Sequence, residues 1–598
     1  MYYYNIIIAL AGALLFWSSL EVAGTVLLLL ASLLFCWGTC ASEIFVRVNG
    51  SDSSTCGSEM AACRTLQQAV QVAEPNDHVL MGDGDFVQFT PVIINKTITI
   101  EGIGRQRSII SCANNGSSAL HVSQSLVLSR LTFTNCYESA IYASSSIATT
   151  IEVNECEFSN NSGSSLASAI SVSSGSVSLY IQNSTFENNK GLLPISSGAI
   201  YSSYGNVTVI NSYFRNNTAP QAGVMTAGSG NIINCTFEQN KGDSCIFKNG
   251  TEMKISECKF IQNSADFVLK LHASTSCLIH NCTLRNNTAS LFIGSTSNHA
   301  ELHLQDVIVD SGANEGATIA DVVLKGESVT LENVQLSNVL GNEGIHIESE
   351  KVFVQDCLLE RNNFLVASCL TIISQTRESD ITVNNTQFIS NEITFAPAVA
   401  LFIQASRFAS ISIQACNFEN NTVSRVNSGS AVNPATVNIE EFQCLSVSHC
   451  NFQQETLINA VRGVLKLSNN IVGSSSVHVS DCTVWNTTSG SQFSHSYNSL
   501  LNVENVKYVT IDNCKFANAS AISLDNVHHT TISNSTFASA PRNNKHQASV
   551  SLQSPQDSTL TIEKSSFQNN LDHVLFVNAT STTTLQDVLI ENNEVSYH

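Results

Sequence analysis

The sequence is poor in charge. Lysine and arginine number 27 and aspartate and glutamate 48, only 13% of 598 residues together. The formal net charge of -21 leaves no basic footprint for nucleic acid or an anionic membrane surface. Proline is scarce, at 8, while apolar residues reach 43%. Low charge with high apolarity excludes a disordered chain and suits a folded, polar-surfaced extracellular β protein. No CxxC pair and no Cys–His cluster occurs, which excludes the usual zinc sites; no metal or cofactor is expected. No lysine or arginine precedes Arg47, so the basic start of an ordinary signal peptide is missing.

What the N-terminus does have is two apolar runs, 6–17 and 22–37, broken by Ser18, Ser19 and Glu21. Thr39 and Ala41 place small residues for cleavage after Ala41. Residues 1–41 therefore read as a long signal peptide, with an uncleaved signal anchor as the alternative, since the combined length could span a bilayer. Either reading makes the protein secreted or cell-surface. Nineteen cysteines fit that oxidising compartment.

The rest of the chain repeats one phrase. It reads NSTFENN at 183–189, NSYFRNN at 211–217 and NCTFEQN at 234–240, with further copies to 586–593. A spacing of about 21–30 residues over about nineteen units means a solenoid, not a globule. Before the phrase, apolar residues alternate, as at Val207 and Val209 or Ile411 and Ile413, which is the period of a strand with one buried face. After it the alternation resumes one step out of phase. A single residue must bend the chain there. It is Asn183, Asn211, Asn234, Asn281, Asn333, Asn385, Asn513 or Asn534 in eight units, and Asp306, Asp356, Asp481 or Asp587 in four more. Asn and Asp are the non-glycine residues most tolerant of left-handed backbone. Strand, one-residue bend and strand make the corner of a parallel β-helix. Phe133, Phe158, Phe186, Phe214, Phe237 and Phe260 should then stack inside as an aromatic ladder, and the closing Asn pair should turn the next corner and bond between coils.

The fold expected is all-β: a right-handed parallel β-helix of about nineteen coils over residues 103–598, with residues 42–102 forming an N-terminal cap and first coil. In that cap, Cys63, Leu66, Ala69, Val70 and Ala73 lie at helical spacing and Pro75 ends the run. A capping helix here would cover open strand edge. Cys56 and Cys63 are expected to form a disulfide. Cys156, Cys235, Cys258, Cys282, Cys357, Cys416, Cys450, Cys482 and Cys514 share one inward position and read as small apolar core residues. No cap is evident after the last coil, so an oligomer or partner is expected at that end.

The Phe-x-x-Asn motifs, such as Phe158/Asn161 and Phe186/Asn189, and Ser197-Gly198-Ala199-Ile200 resemble the passenger repeats of the polymorphic outer-membrane-protein family, within the pectin-lyase-like superfamily. The resemblance covers roughly residues 100–598 and implies a surface adhesin. The chain departs from it in having no C-terminal membrane barrel.

Function is read from what the repeats carry. Catalytic signatures of polygalacturonases and pectate lyases are absent, and no paired-carboxylate constellation of the kind used for acid–base work is found. The chain is therefore expected not to be an enzyme but an adhesion or recognition rod for a glycan or surface protein; the alternative is a polysaccharide lyase or hydrolase. No nucleic acid partner is expected, and membrane contact only through an uncleaved N-terminus. Longer units around 386–482 suggest a binding shelf bearing Arg425, Arg462, Trp485, His495 and Tyr497. Candidate N-glycosylation sequons start at Asn49, Asn95, Asn115, Asn160, Asn183, Asn206, Asn216, Asn234, Asn249, Asn281, Asn286, Asn384, Asn420, Asn486, Asn518, Asn534 and Asn578.

Overall fold

The computed structural model describes residues 41–593 except 114–117, 289, 295–299, 311–321, 395–397, 424–434, 459–463, 471–472, 486–487, 491–499, 518–521, 539–547, 555–557, 571–572 and 579–580. The signal or anchor segment thus lies outside the described residues, apart from Ala41.

The chain coils into a parallel β-solenoid. Each turn contributes one or two strands to a long sheet, for example Ile170–Val172 and Val177–Gln182. A three-residue strand such as Thr185–Glu187 follows, in a second sheet of twenty strands. A third, short sheet of six strands runs between residues 340 and 490. Neighbouring turns pair in parallel and in register, Phe158 with Phe186 and Phe186 with Phe214.

The corner residues behave as their chemistry demands. All twelve Asn and Asp corners have positive φ, from 45° at Asn385 to 55° at Asp481. The first residue of the closing pair does the same: Asn160, Asn188, Asn216, Asn286 and Asn420 have φ between 51° and 56°. Its successor points inward. Asn161, Asn189, Asn217, Asn240 and Asn263 are fully buried. Each Nδ2 donates to the Oδ1 of the next coil at 2.9–3.1 Å and to a phenylalanine carbonyl, as Asn217 does to Phe186. An amide carries both donor and acceptor, so the chain of bonds propagates.

Beside it runs the phenylalanine ladder. Phe133 to Phe260 stack with centroids 4.7–5.0 Å apart and planes within 9°. Each such pair contributes roughly 0.5–1.5 kcal/mol beyond buried area. A second ladder joins Phe388, Phe418 and Phe452.

The column after the corner holds Ser, Thr or Cys for a reason that the periodicity alone does not give. Ser184 Oγ donates to the Gln182 carbonyl and accepts the Cys156 backbone N–H, at 2.8 and 3.1 Å. Cys258 Sγ likewise accepts the Cys235 backbone N–H at 3.5 Å. All nine cysteines of this column are buried free thiols. Burial pushes the Cys156 and Cys357 thiols up to about 12.

At the N-terminal end a helix forms over Leu66–Val72, with Leu66, Ala69 and Val70 buried and Thr65 capping it. The Cys56–Cys63 disulfide is present. A second, Cys112–Cys136, joins the next turns. Cys136 occupies the place of a ladder asparagine, and its backbone N–H donates to Asn161 Oδ1 at 3.0 Å. The ladder therefore begins beneath a covalent link.

Candidate functional site

The ladder corner delivers the chain to the outside of the rod at a fixed place in every turn. Directly after it come Lys190, Thr218, Lys241 and Ser264, paired coil to coil. The coils here change length. Corner asparagines Asn183, Asn211 and Asn234 are 28 and then 23 residues apart. The longer coil carries the extra loop Leu192–Ile195, whose Leu192, Leu193 and Ile195 are exposed. Beside the step between long and short coils lies a cleft of about 640 Å³, lined by Lys190, Leu192, Thr218, Lys241, Ser264 and Asp266 among others.

Its lining is flat because it is built of small residues: Gly191, Ala219, Gly242 and Ala265. A Cβ on Gly191 would lie 2.7 Å from the Ser197 carbonyl oxygen, and one on Gly242 would lie 2.5 Å from the Ala219 carbonyl oxygen. Backbone approach, not conformational freedom, requires glycine at both.

The cleft combines both signs of charge. Lys190 and Lys241 are exposed and stand two coils apart, about 9–10 Å at the strand spacing. Asp243 and Asp266 occupy the same register position on neighbouring coils, between the pairs Gly242–Ala265 and Ser244–Phe267. Asp266 lines the cleft, and Asp243 Oδ2 accepts from Lys270 Nζ at 2.8 Å. The ammonium groups of Lys190 and Lys241 can neutralise charge on a bound chain, and the Asp266 carboxylate one coil further on can exchange a proton with it. On the neighbouring sheet, Tyr213 donates to Glu238, and Arg215 lies 3.9 Å from Glu187. Burial, with Glu238 adding, raises the Tyr213 phenol to about 12, so it keeps its proton at any ordinary pH. In the long sheet, Lys248 takes the inward position that Ala227 and Leu271 hold on the coils to either side. It is fully buried, without a hydrogen-bond partner among the described residues, and burial lowers it to about 8. Among the described residues no three His, Cys, Asp or Glu side chains gather as metal ligands.

The sequence reading found none of these cleft residues. Asp243 and Asp266 are far apart in the chain, and only coil register brings them together. The shelf residues Arg425, Arg462, His495 and Tyr497 lie outside the described residues. Trp485 is exposed on the second sheet, and its Nε1 donates to Gln453 Oε1 at 3.2 Å. Of the sequons, Asn115, Asn486 and Asn518 lie outside the described residues. Asn183, Asn234, Asn281 and Asn534 form the first corner and Asn160, Asn216, Asn286 and Asn420 the second.

The model described as "Right handed beta helix region" matches residues 168–321 and 457–598. No curated protein matches the sequence. Among solved structures, the chain is similar to a PL6 family alginate lyase, AlyGC, at 11% identity and TM-score 0.26, covering 93% of this chain and 100% of that one. It is similar to the catalytic domain of a GH87 α-1,3-glucanase in complex with nigerose, at 10% and 0.30, covering 67% and 68%. A third is pectate lyase Pel9A, at 13% and 0.23, covering 66% and 80%. These neighbours are polysaccharide lyases and a glucanase. The expectation that the chain is not an enzyme does not stand: it had rested on finding no paired-carboxylate constellation in the sequence, and coil register sets Asp243 beside Asp266. The narrower likeness to the polymorphic outer-membrane-protein repeats rests on the sequence motifs alone. With its parallel coils and the two matched stretches, the chain is a right-handed parallel β-helix protein of the pectin-lyase-like fold.

Proposed function

We propose that the protein is carbohydrate-active and holds an extended anionic polysaccharide along the cleft, parallel to the rod axis. The observation that carries this is the placing of Lys190 and Lys241 two coils apart, with the Asp243 carboxylate on the coil of Lys241 and Asp266 on the next. One coil rises about 4.8 Å, close to the length of one pyranose unit in an extended chain. In a chain whose acid groups alternate sides, those on one side fall at every second sugar, and so opposite every second coil. The lysines neutralise them, and Asp266, at the cleft wall, is the group placed to move a proton. The fold's likeness to lyases and glucanases agrees with this reading. Two disulfides support a secreted or cell-surface location.

The test is incubation of the purified protein with alginate and with pectate, following new reducing ends and the absorbance of unsaturated ends, with binding measured in parallel. Cleavage that is lost in Asp266→Asn, and binding weakened in the double variant Lys190→Ala/Lys241→Ala, are expected. Binding without cleavage would return the protein to the role of an adhesive rod. Neither binding nor cleavage by the folded protein sinks the proposal.

A further inference from the structure

The outer face of the long sheet carries a second periodicity, separate from the cleft. The residue between two inward-facing positions is Tyr142, then Ser171, Tyr201, Thr226 and Phe247 on five successive coils, each paired in register with the next. Lys270 follows on the sixth. Aromatic rings thus recur on every second coil, with a small hydroxyl residue between them. The rings are half-buried at the surface, whereas Ser171 and Thr226 are only 1% and 3% exposed. Ser171 Oγ has no hydrogen-bond partner among the described residues. It is a buried polar group lying between two rings. Thr226 Oγ1 is engaged, pairing with Ser197 Oγ at 2.7 Å. Tyr142 is steadied by Ser173, whose Oγ lies 3.1 Å from its Oη, and by His121, 5.4 Å away between ring centroids. Phe247 is steadied by an edge contact with His272 at 5.9 Å.

Core packing does not explain these outward rings. They do not form a continuous stack like the internal phenylalanines, because a small residue separates each from the next. Rings two coils apart lie about 9–10 Å from one another. That is twice the rise of a coil, and so about twice the length of a pyranose unit. A 1,4-linked chain with both linkage bonds equatorial is ribbon-like, and it turns the same face to one side at every second sugar. A chain with one axial linkage bond coils instead and cannot keep that register.

We propose that Tyr142, Tyr201 and Phe247 form a stacking platform for a ribbon-like, diequatorial 1,4-linked glycan running along the rod. Alternate sugars lie flat on the rings, and the intervening sugars pass over Ser171 and Thr226. The platform spans five coils and so takes about five sugars. The inference rests on the reading of the protein as carbohydrate-binding but not on the lysine cleft, because stacking requires no charge on the sugar.

The test uses the full folded protein and two neutral probes, cellohexaose and maltohexaose, in titration calorimetry. Cellohexaose is expected to bind at least five-fold more tightly than maltohexaose. Tyr201→Ala should weaken cellohexaose at least five-fold, while Tyr201→Phe, which keeps the ring, should bind as the parent does. The double variant Lys190→Ala/Lys241→Ala should leave cellohexaose binding unchanged, which separates this platform from the cleft. Equal binding of the two hexaoses, no binding of cellohexaose, or an unaltered Tyr201→Ala overturns the platform. Loss of anionic-chain binding in the lysine variant bears on the cleft alone.

Discussion

Two runs of the internal amide ladder can be set side by side. The upper run passes from Asn161 to Asn287 without a break, beneath the Cys112–Cys136 disulfide. The lower run starts at Asn362, continues through Asn391 and Asn421, and meets Glu455. Position, burial and backbone are the same in both. The chemistry differs at one atom. An amide can accept from above and donate below, whereas a carboxylate only accepts. Glu455 is completely buried. It accepts from Asn421 Nδ2 at 3.1 Å and pairs with Thr436 Oγ1 at 2.9 Å. Burial, offset in part by those bonds, pushes its carboxyl up to about 8. The lower run therefore ends in a proton, and the upper run holds none.

The largest expected effect comes from forcing the upper run to resemble the lower one. Asn217→Asp removes the donor that serves both Asn240 Oδ1 and the Phe186 carbonyl. The new carboxylate would face two acceptors in a dry core. A loss of about 3–5 kcal/mol is expected at neutral pH, the range seen when a buried charge is left uncompensated. Most of it should return at acid pH, where the group is neutral and its O–H donates to one of those acceptors. Chemical unfolding at pH 4 and pH 8, with hydrogen exchange to localise the change, measures this. A loss independent of pH would show that the amide ladder is held by shape and not by its donors.

The converse change is Glu455→Gln. An acid whose folded pKa is raised binds more protons folded than unfolded in the window between the two values. Stability therefore falls as pH rises from about 4.5 to about 8 and is level on either side. The slope approaches about 1.4 kcal/mol per pH unit. Glu419 and the Cys369 thiol are the titratable neighbours acting on this site. With glutamine, Oε1 still accepts from Asn421 and Nε2 donates to Thr436. The variant should match the parent near pH 5 and exceed it near pH 8. Parallel pH profiles of parent and variant would locate the proton elsewhere.

These two residues also show what sequence can and cannot disclose. The corner at Asn211 and the ring at Phe214 were legible because each obeys a rule of local backbone or local period, repeated until chance is excluded. The Cys56–Cys63 link was legible for the same reason, being closed within eight residues. Asn189 was legible as an asparagine near a corner, but not as the buried member of its pair. Which of two neighbouring asparagines turns and which enters the core depends on the coil above. Glu455 and the Cys112–Cys136 link were hidden because their meaning comes from a ladder position that only register assigns. Asp243 and Asp266 were hidden further still. They share no motif with each other, and only the pairing of neighbouring coils sets them side by side, with Asp266 lining the cleft. A solenoid writes its fold along the chain and its site across it.

The smallest difference separates the phenylalanine ladders of Phe214 and Phe388. Phe214 lies between Phe186 at 4.8 Å and Phe237 at 5.0 Å. Phe388 has one ring neighbour, Phe418 at 4.9 Å, and Leu359 on its other side. Leucine is what the chain itself uses at this position in Leu284, Leu336 and Leu359, all buried. Phe to Leu is therefore a change the coil already accommodates, and most of its cost is the lost ring pairs. Phe214→Leu removes two pairs and should cost about 1–3 kcal/mol; Phe388→Leu removes one and should cost about half as much. Because both losses are local, hydrogen exchange of the flanking strands resolves them better than a single melting curve of a long repeat array. Equal losses would mean that the rings act only as volume, and that the parallel stacking follows from coil register without contributing to stability.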